Sequence, residues 1–210
     1  MRYINQRQRN EKNTNTFVIC LTSITDEAIL EIDLVKTSEK GIEIIKRHEG
    51  YSDVAYLCPA GYWTWGYGSR YYKGMEITKG MKFSKNEAEI QLKLDLEKFE
   101  NVILKTVKVP LVQEQFDALV SFVYNVGETA FRNSTLLKKL NEHDYKGAEG
   151  EFLKWNKARD KNGNKRELTG LTKRRIAESE LFAQGTQEHK ETINYLAKVE
   201  PRGLDDKTNA

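Results

Sequence analysis

The chain has 210 residues, 39% of them apolar and only three prolines, enough to bury a core in one domain of ordinary size with flanking extensions. Lys plus Arg at 34 against Asp plus Glu at 31 leaves a net charge of +3, too small a surplus to argue for nucleic acid but no obstacle to an anionic polymer. Two cysteines, Cys20 and Cys58, exclude a disulfide-rich scaffold and a multi-Cys zinc site; His48, His143 and His189 lack metal-ligand spacing, so neither a metal nor a cofactor is expected.

Residues 1 to about 16 are polar and read as disordered. The apolar run at 17–21 (Phe-Val-Ile-Cys-Leu) is far short of the roughly 20 residues of a membrane span and of the roughly 7–15 of a signal-peptide core. A soluble protein made in the cytoplasm, with no membrane span, is therefore expected. Ala28, Ile29, Ile32 and Val35 recur at helical spacing behind Thr25, which predicts a short amphipathic helix over 25–35. A second helix is predicted over 39–49, with Ile42, Ile45 and Glu49 on one face.

From Gly50 to Lys82 glycines punctuate short runs of Tyr, Trp and Thr, the pattern of a small antiparallel sheet with tight turns. Ser84 and Glu87 form a capping-box signature ahead of the stripe Leu92, Leu96, Phe99 and Ile103, which predicts a helix over 86–105, long enough to bridge two lobes. After Pro110 the pattern is helical: 113–126 stopped by Gly127, a helix opened by Ser134 or Thr135, then 144–156 and 171–184, the last closed by Gly185. The Asp-Lys-Asn-Gly run at 160–163 is a turn signal. The resulting division is an N-terminal extension (1–37), an α+β domain (38–185) and a loose polar tail (186–210). The domain comprises a small helix-plus-antiparallel-sheet lobe and a larger helical lobe, joined by a long helix.

Glu49 is the residue of most chemical interest. A carboxyl on an apolar stripe is partly desolvated, which favours its protonated form. A protonated carboxyl in a cleft lined by Tyr and Trp suits proton donation to a leaving glycosidic oxygen. The same residue also fits a plain helix end, with the aromatics filling a sheet, and physics alone favours that simpler account.

Three blocks shift the balance. Glu49, eight residues, Cys58, five residues and Thr64 lead into the Gly66-Tyr67-Gly68 turn. Gln115-Phe116-Asp117-Ala118-Leu119 leads to Asn125-Val126-Gly127, Phe131 and Ser134-Thr135-Leu136-Leu137. Trp155 is followed by Gly170-Leu171, Arg174-Arg175 and Glu178. In this order and spacing the chain resembles the phage-type lysozymes, the endolysins of glycoside hydrolase family 24. The resemblance implies a two-lobed lysozyme fold. It also implies hydrolysis of the β-1,4 bond between N-acetylmuramic acid and N-acetylglucosamine in bacterial peptidoglycan, with a holin as partner for reaching the wall.

By position, Glu49 is the implied general acid, Cys58 the second catalytic group and Thr64 a holder of the attacking water. Many relatives carry Asp where this chain has Cys58. A free thiol is largely neutral at pH 7, so it must be activated to thiolate, act as a weaker base, or attack covalently. Asp53 is a rival second carboxylate, better read as a solvated turn residue. Arg70, Tyr124 and Ser134 match sugar-binding positions, with a solvated Arg, a core Tyr and a helix cap as their structural alternatives. Arg174, Arg175 and Glu178 read as a structural ion-pair cluster and Trp155 as core.

Ser69 stands where many relatives have His; if that His ties the sheet to the rest of the fold, some stability is lost here, but no catalytic group is. A Cys20–Cys58 disulfide blocking the catalytic thiol is a further expectation, disfavoured by a reducing cytoplasm. A monomer is expected. A peptidoglycan binder that lost the reaction, and a lytic transglycosylase, are the alternatives in function.

Overall fold

The structure, a computed structural model, describes residues 35–58, 61–159 and 164–199, without the side chains of 159 and of the residues beyond 187. The polar start, all but the last residue of the 25–35 helix, Cys20 with its pairing to Cys58, and the 160–163 turn lie outside the described residues.

Helix α1 spans Glu39–Glu49. Ser38 caps it, its Oγ accepting the Gly41 N–H at 3.3 Å. Asp117 in turn accepts the Ser38 N–H at 2.9 Å and the Ser38 hydroxyl. Ile42 and Ile45 are buried, and the helix packs chiefly on two helices of the larger lobe described below, α3 and α7. By its packing, then, the helix predicted in the small lobe belongs with the helical one, which places Glu49 at the boundary.

Strands β1 (Ser52–Leu57) and β2 (Trp63–Gly66) pair antiparallel, Tyr56 opposite Thr64, with an irregularity between Ser52 and Tyr56. A second hairpin pairs β3 (Tyr71–Tyr72) with β4 (Met75–Glu76). The small lobe is built around Trp65, fully buried, whose ring centre lies 3.8 Å from that of Phe83 and meets Tyr72 edge-on at 5.4 Å. The predicted aromatic sheet is therefore two short hairpins around one indole.

Helix α2 spans Lys85–Thr106 with the full capping box in place: the Glu87 carboxylate accepts the Ser84 N–H and Ser84 Oγ accepts the Glu87 N–H. Its 22 residues extend roughly 33 Å, and it touches β2 as well as helices of the larger lobe, as a bridge must. That lobe surrounds α3 (Gln113–Val126), whose residues from Gln115 to Val123 are all buried. Around it lie α4 (Glu128–Arg132), α5 (Thr135–Asn141), α6 (Tyr145–Phe152) and α7 (Thr169–Val199). The fold is α+β, as the pattern predicts, and the lysozyme layout is what the resemblance implies.

Two local expectations are corrected. The helix expected over 144–156 stops at Phe152, passes through a single 3-10 turn (Leu153–Trp155) and gives way to a hairpin, β5 (Lys157–Arg159) against β6 (Lys165–Glu167). Gly185 does not close the last helix, which runs on to Val199 where a loose tail was expected. The glycine is there for contact: a Cβ on it would lie 2.7 Å from Val112 Cγ2 and 3.1 Å from the Gln115 backbone nitrogen, so only glycine lets α7 approach α3 this closely. Among the described residues no helix is long and apolar enough to cross a membrane.

Candidate active site

Glu49 is the last residue of α1, and Gly50, at φ +73°, turns the chain away into β1. Its carboxyl does not face an apolar wall. Arg174 Nη1, from α7, donates to Glu49 Oε1. The Arg174 side chain is 3% exposed and that of Glu49 22%, so a buried guanidinium meets a partly accessible carboxyl.

Arg174 is fixed on its other edges. Nε donates to Glu178 Oε1 at 3.0 Å and Nη2 to the Ser121 carbonyl at 3.0 Å. Ser121 Oγ donates to Glu178 Oε1 at 2.7 Å, and Arg175 Nη2 reaches the same oxygen at 2.9 Å. The expected ion-pair cluster exists, but it is also the seat of Glu49. That contact was missed from sequence: i, i+4 spacing announces the Arg174–Glu178 pair, and nothing announces a partner on α1.

Opposite Glu49 lies the Gly66-Tyr67-Gly68 turn. Gly68 has φ +101°, and a Cβ built on it would sit 4.0 Å from both Glu49 Oε2 and the Tyr124 hydroxyl. The absent side chain thus keeps the space beside the carboxyl open. The Tyr124 hydroxyl donates to the Tyr67 carbonyl at 2.9 Å, tying α3 to this turn. Burial, followed by the negative charges of Glu49 and Asp95, pushes the Tyr124 phenol well up, so it stays a donor.

The turn is held from the other side too. The Ser69 hydroxyl donates to Asp95 on α2, whose second oxygen accepts Gln91 Nε2 at 2.9 Å. Ser69 thus supplies a tie between the sheet lobe and α2. Burial pushes the Asp95 carboxyl above its ordinary value.

Cys58 and Thr64 share the β1–β2 hairpin. Thr64 is buried, its hydroxyl donating to the Tyr56 carbonyl at 3.3 Å, which leaves the oxygen's lone pairs for another donor. Cys58 is half-buried with a free thiol, and its N–H donates to the Tyr62 carbonyl at 2.9 Å. Asp53 is exposed on β1.

Arg70 lies against the ring of Tyr62, 3.6 Å from its centre, with Glu76 at 3.8 Å. Ser134 is 6% exposed and caps α5, accepting the Leu137 N–H at 3.0 Å, so its oxygen is already engaged in the role of its structural alternative. Trp155 packs edge-on against Phe122, 5.5 Å between centres. His48, beside Glu49, has its Nε2 buried without a partner, and burial with Arg174, Arg175 and Arg47 nearby lowers its basicity. Among the described residues no group of three or more His, Cys, Asp or Glu could hold a metal ion.

The family model described as Phage lysozyme matches residues 46–178. An endolysin of Acyrthosiphon pisum secondary endosymbiont phage 1 is 48% identical over 145 residues, 69% of this chain and 96% of that relative. An endolysin of Bacillus phage B103 is 42% identical over 150 residues, 70% of this chain, which spans 54% of that relative's length. Among solved structures, an endolysin from Escherichia coli O157:H7 phage FAHEc1 is similar at a TM-score of 0.66 and 39% identity, over 70% of this chain and 92% of that one.

Proposed function

Because the chain belongs to the phage lysozyme family, we propose that Glu49 is the general acid of its glycosidic cleavage, with Cys58 and Thr64 handling the water. The protein is a peptidoglycan-hydrolysing endolysin, a glycoside hydrolase of the muramidase type. The observation that carries the assignment of Glu49 is its place at the end of α1, across from the turn at Gly68. A single carboxyl, fixed by a buried guanidinium, faces a turn from which the side chain is missing at Gly68.

The pieces act as follows. Arg174 fixes the orientation of the Glu49 carboxyl in the free protein, and Glu178 with Ser121 fixes Arg174. Glu49 donates its proton to the leaving oxygen as the sugar enters between it and the turn. Cys58 and Thr64, on one hairpin, hold the water on the other side of the ring. Tyr124 and Arg70 border the sugar path, and Ser134 closes it through the end of α5. The enzyme acts as a monomer, made in the host cytoplasm and passed to the wall through a holin pore.

The test is digestion of purified peptidoglycan with the wild type and with Glu49→Gln, followed by mass analysis of the released muropeptides. Reducing muramic-acid ends are expected from the wild type, with the variant slower by about 10²–10⁴-fold. Anhydro ends would make the protein a transglycosylase. No release from either would leave it a binder.

A further inference from the structure

We propose that Arg70 is a positioning residue that fixes Cys58 through the ring of Tyr62. The inference rests on the reading of Cys58 as part of the machinery and goes beyond the sugar contact expected of Arg70.

Arg70 leaves the Gly66–Gly68 turn, and its carbonyl accepts the Ile77 N–H at 3.0 Å, so its backbone is anchored beside the second hairpin. Its guanidinium lies 3.6 Å from the centre of the Tyr62 ring and 5.8 Å from that of Tyr71. Glu76 meets Nη2 only at 3.8 Å, and Nε is buried with no hydrogen-bond partner. The side chain is thus committed to ring faces rather than to acceptors. That suits a planar, weakly hydrated guanidinium, which can stack on a ring, better than a compact ammonium.

Tyr62 is 47% exposed, so burial does not explain where its ring sits. Its backbone closes the turn that carries Cys58: the Tyr62 carbonyl accepts the Cys58 N–H at 2.9 Å, and the Cys58 carbonyl accepts the Gly61 N–H at 2.9 Å. Cys58 stands at the end of a two-stranded ribbon whose neighbours Leu57, Gly61 and Tyr62 are all exposed. The tip of such a ribbon has few contacts to hold it. The Tyr62 ring on Arg70 ties it down to the second hairpin, and so sets where the thiol stands relative to the sugar. A displacement of about 1 Å at a catalytic group is enough to cost a large factor in rate.

The experiment uses the full chain in a Cys20→Ala background, which leaves Cys58 as the one thiol. Arg70→Leu, Tyr62→Leu, their combination and Arg70→Lys are compared for the rate of Cys58 alkylation by iodoacetamide across pH and for kcat and KM on soluble glycan strands. Melting temperature serves as the check on folding. Tyr62→Leu keeps the cation and removes the ring, so it separates position from any electrostatic effect of Arg70 on the thiol.

Each single Leu variant is expected to change the alkylation rate several-fold and to lower kcat about tenfold with KM little altered. The double variant should be no worse than either single, because both break one link. Arg70→Lys, which keeps the charge but not the planar stack, should fall between Arg70→Leu and the wild type. If Arg70→Leu raises KM while Tyr62→Leu changes neither alkylation nor turnover, Arg70 is only a sugar contact and the proposal falls. Additive effects overturn it as well. Coupled changes in alkylation with turnover intact would uphold the link and instead remove Cys58 from the catalytic reading.

Discussion

At the scale of single residues, two carboxylates at opposite ends of α1 are used for two different purposes. Glu49 is partly open and seated on Arg174, whereas Asp117 is almost wholly enclosed and acts on the far end of the same helix. Asp117 accepts the Ser38 N–H, the Ser38 hydroxyl and Gln113 Nε2, so it holds the first residue of the α1 cap. Burial outweighs these donors and raises its carboxyl above the ordinary value of 3.8. A raised folded-state value means the stabilising contribution is complete below 3.8 and is lost as pH climbs through the folded value. Asp117→Asn cannot ionise, so its stability relative to the wild type should improve between pH 4 and pH 7. Urea unfolding at the two pH values measures this, and a relative stability that falls over the same interval would refute it. The sequence marks Asp117 only as part of a family block. Its burial becomes visible once Gly41 is seen against it, a Cβ there lying 2.7 Å from Asp117 Cγ.

The elements were legible in proportion to how local their causes are. The α2 start was readable because Ser84 and Glu87 satisfy each other within one turn. The β5–β6 hairpin was not, because its strands are three residues each and the preceding pattern is still helical at Phe152. Gly185 misled for a physical reason: a glycine after an apolar stripe reads as a stop, yet here it answers to α3, remote in sequence. Gly185→Ala tests that account. Helix propensity alone would make alanine better by about 1 kcal/mol, whereas crowding against Val112 and Gln115 costs about 1–3 kcal/mol. A net loss of up to about 2 kcal/mol is expected by chemical denaturation, and a gain would show that the glycine is merely tolerated.

For the whole molecule, two links cross from the sheet lobe to the helices at the Gly66-Tyr67-Gly68 turn: Ser69 to Asp95 on α2, and Tyr124 on α3 to the Tyr67 carbonyl. The family blocks disclosed the turn and the helices but not these ties, which depend on side chains meeting across the boundary. Tyr124→Phe removes one of them while keeping the ring packed on Phe99, 5.0 Å between centres. It leaves the Tyr67 carbonyl without its donor, and the expected cost is about 1–3 kcal/mol. Turnover of peptidoglycan should fall more than this loss of stability alone explains, because the turn beside Glu49 is released. Calorimetry and muropeptide release on one preparation separate the two, and unchanged turnover would show that the tie has no bearing on the reaction.

The seat of Glu49 also has a consequence in time. Its cation, Arg174, lies 125 positions further along the chain. Synthesis therefore delivers Glu49 long before the group that orients it, and a product halted before α7 lacks the guanidinium that fixes its carboxyl. The geometry around Glu49 is thus complete only once α7 has been made and packed.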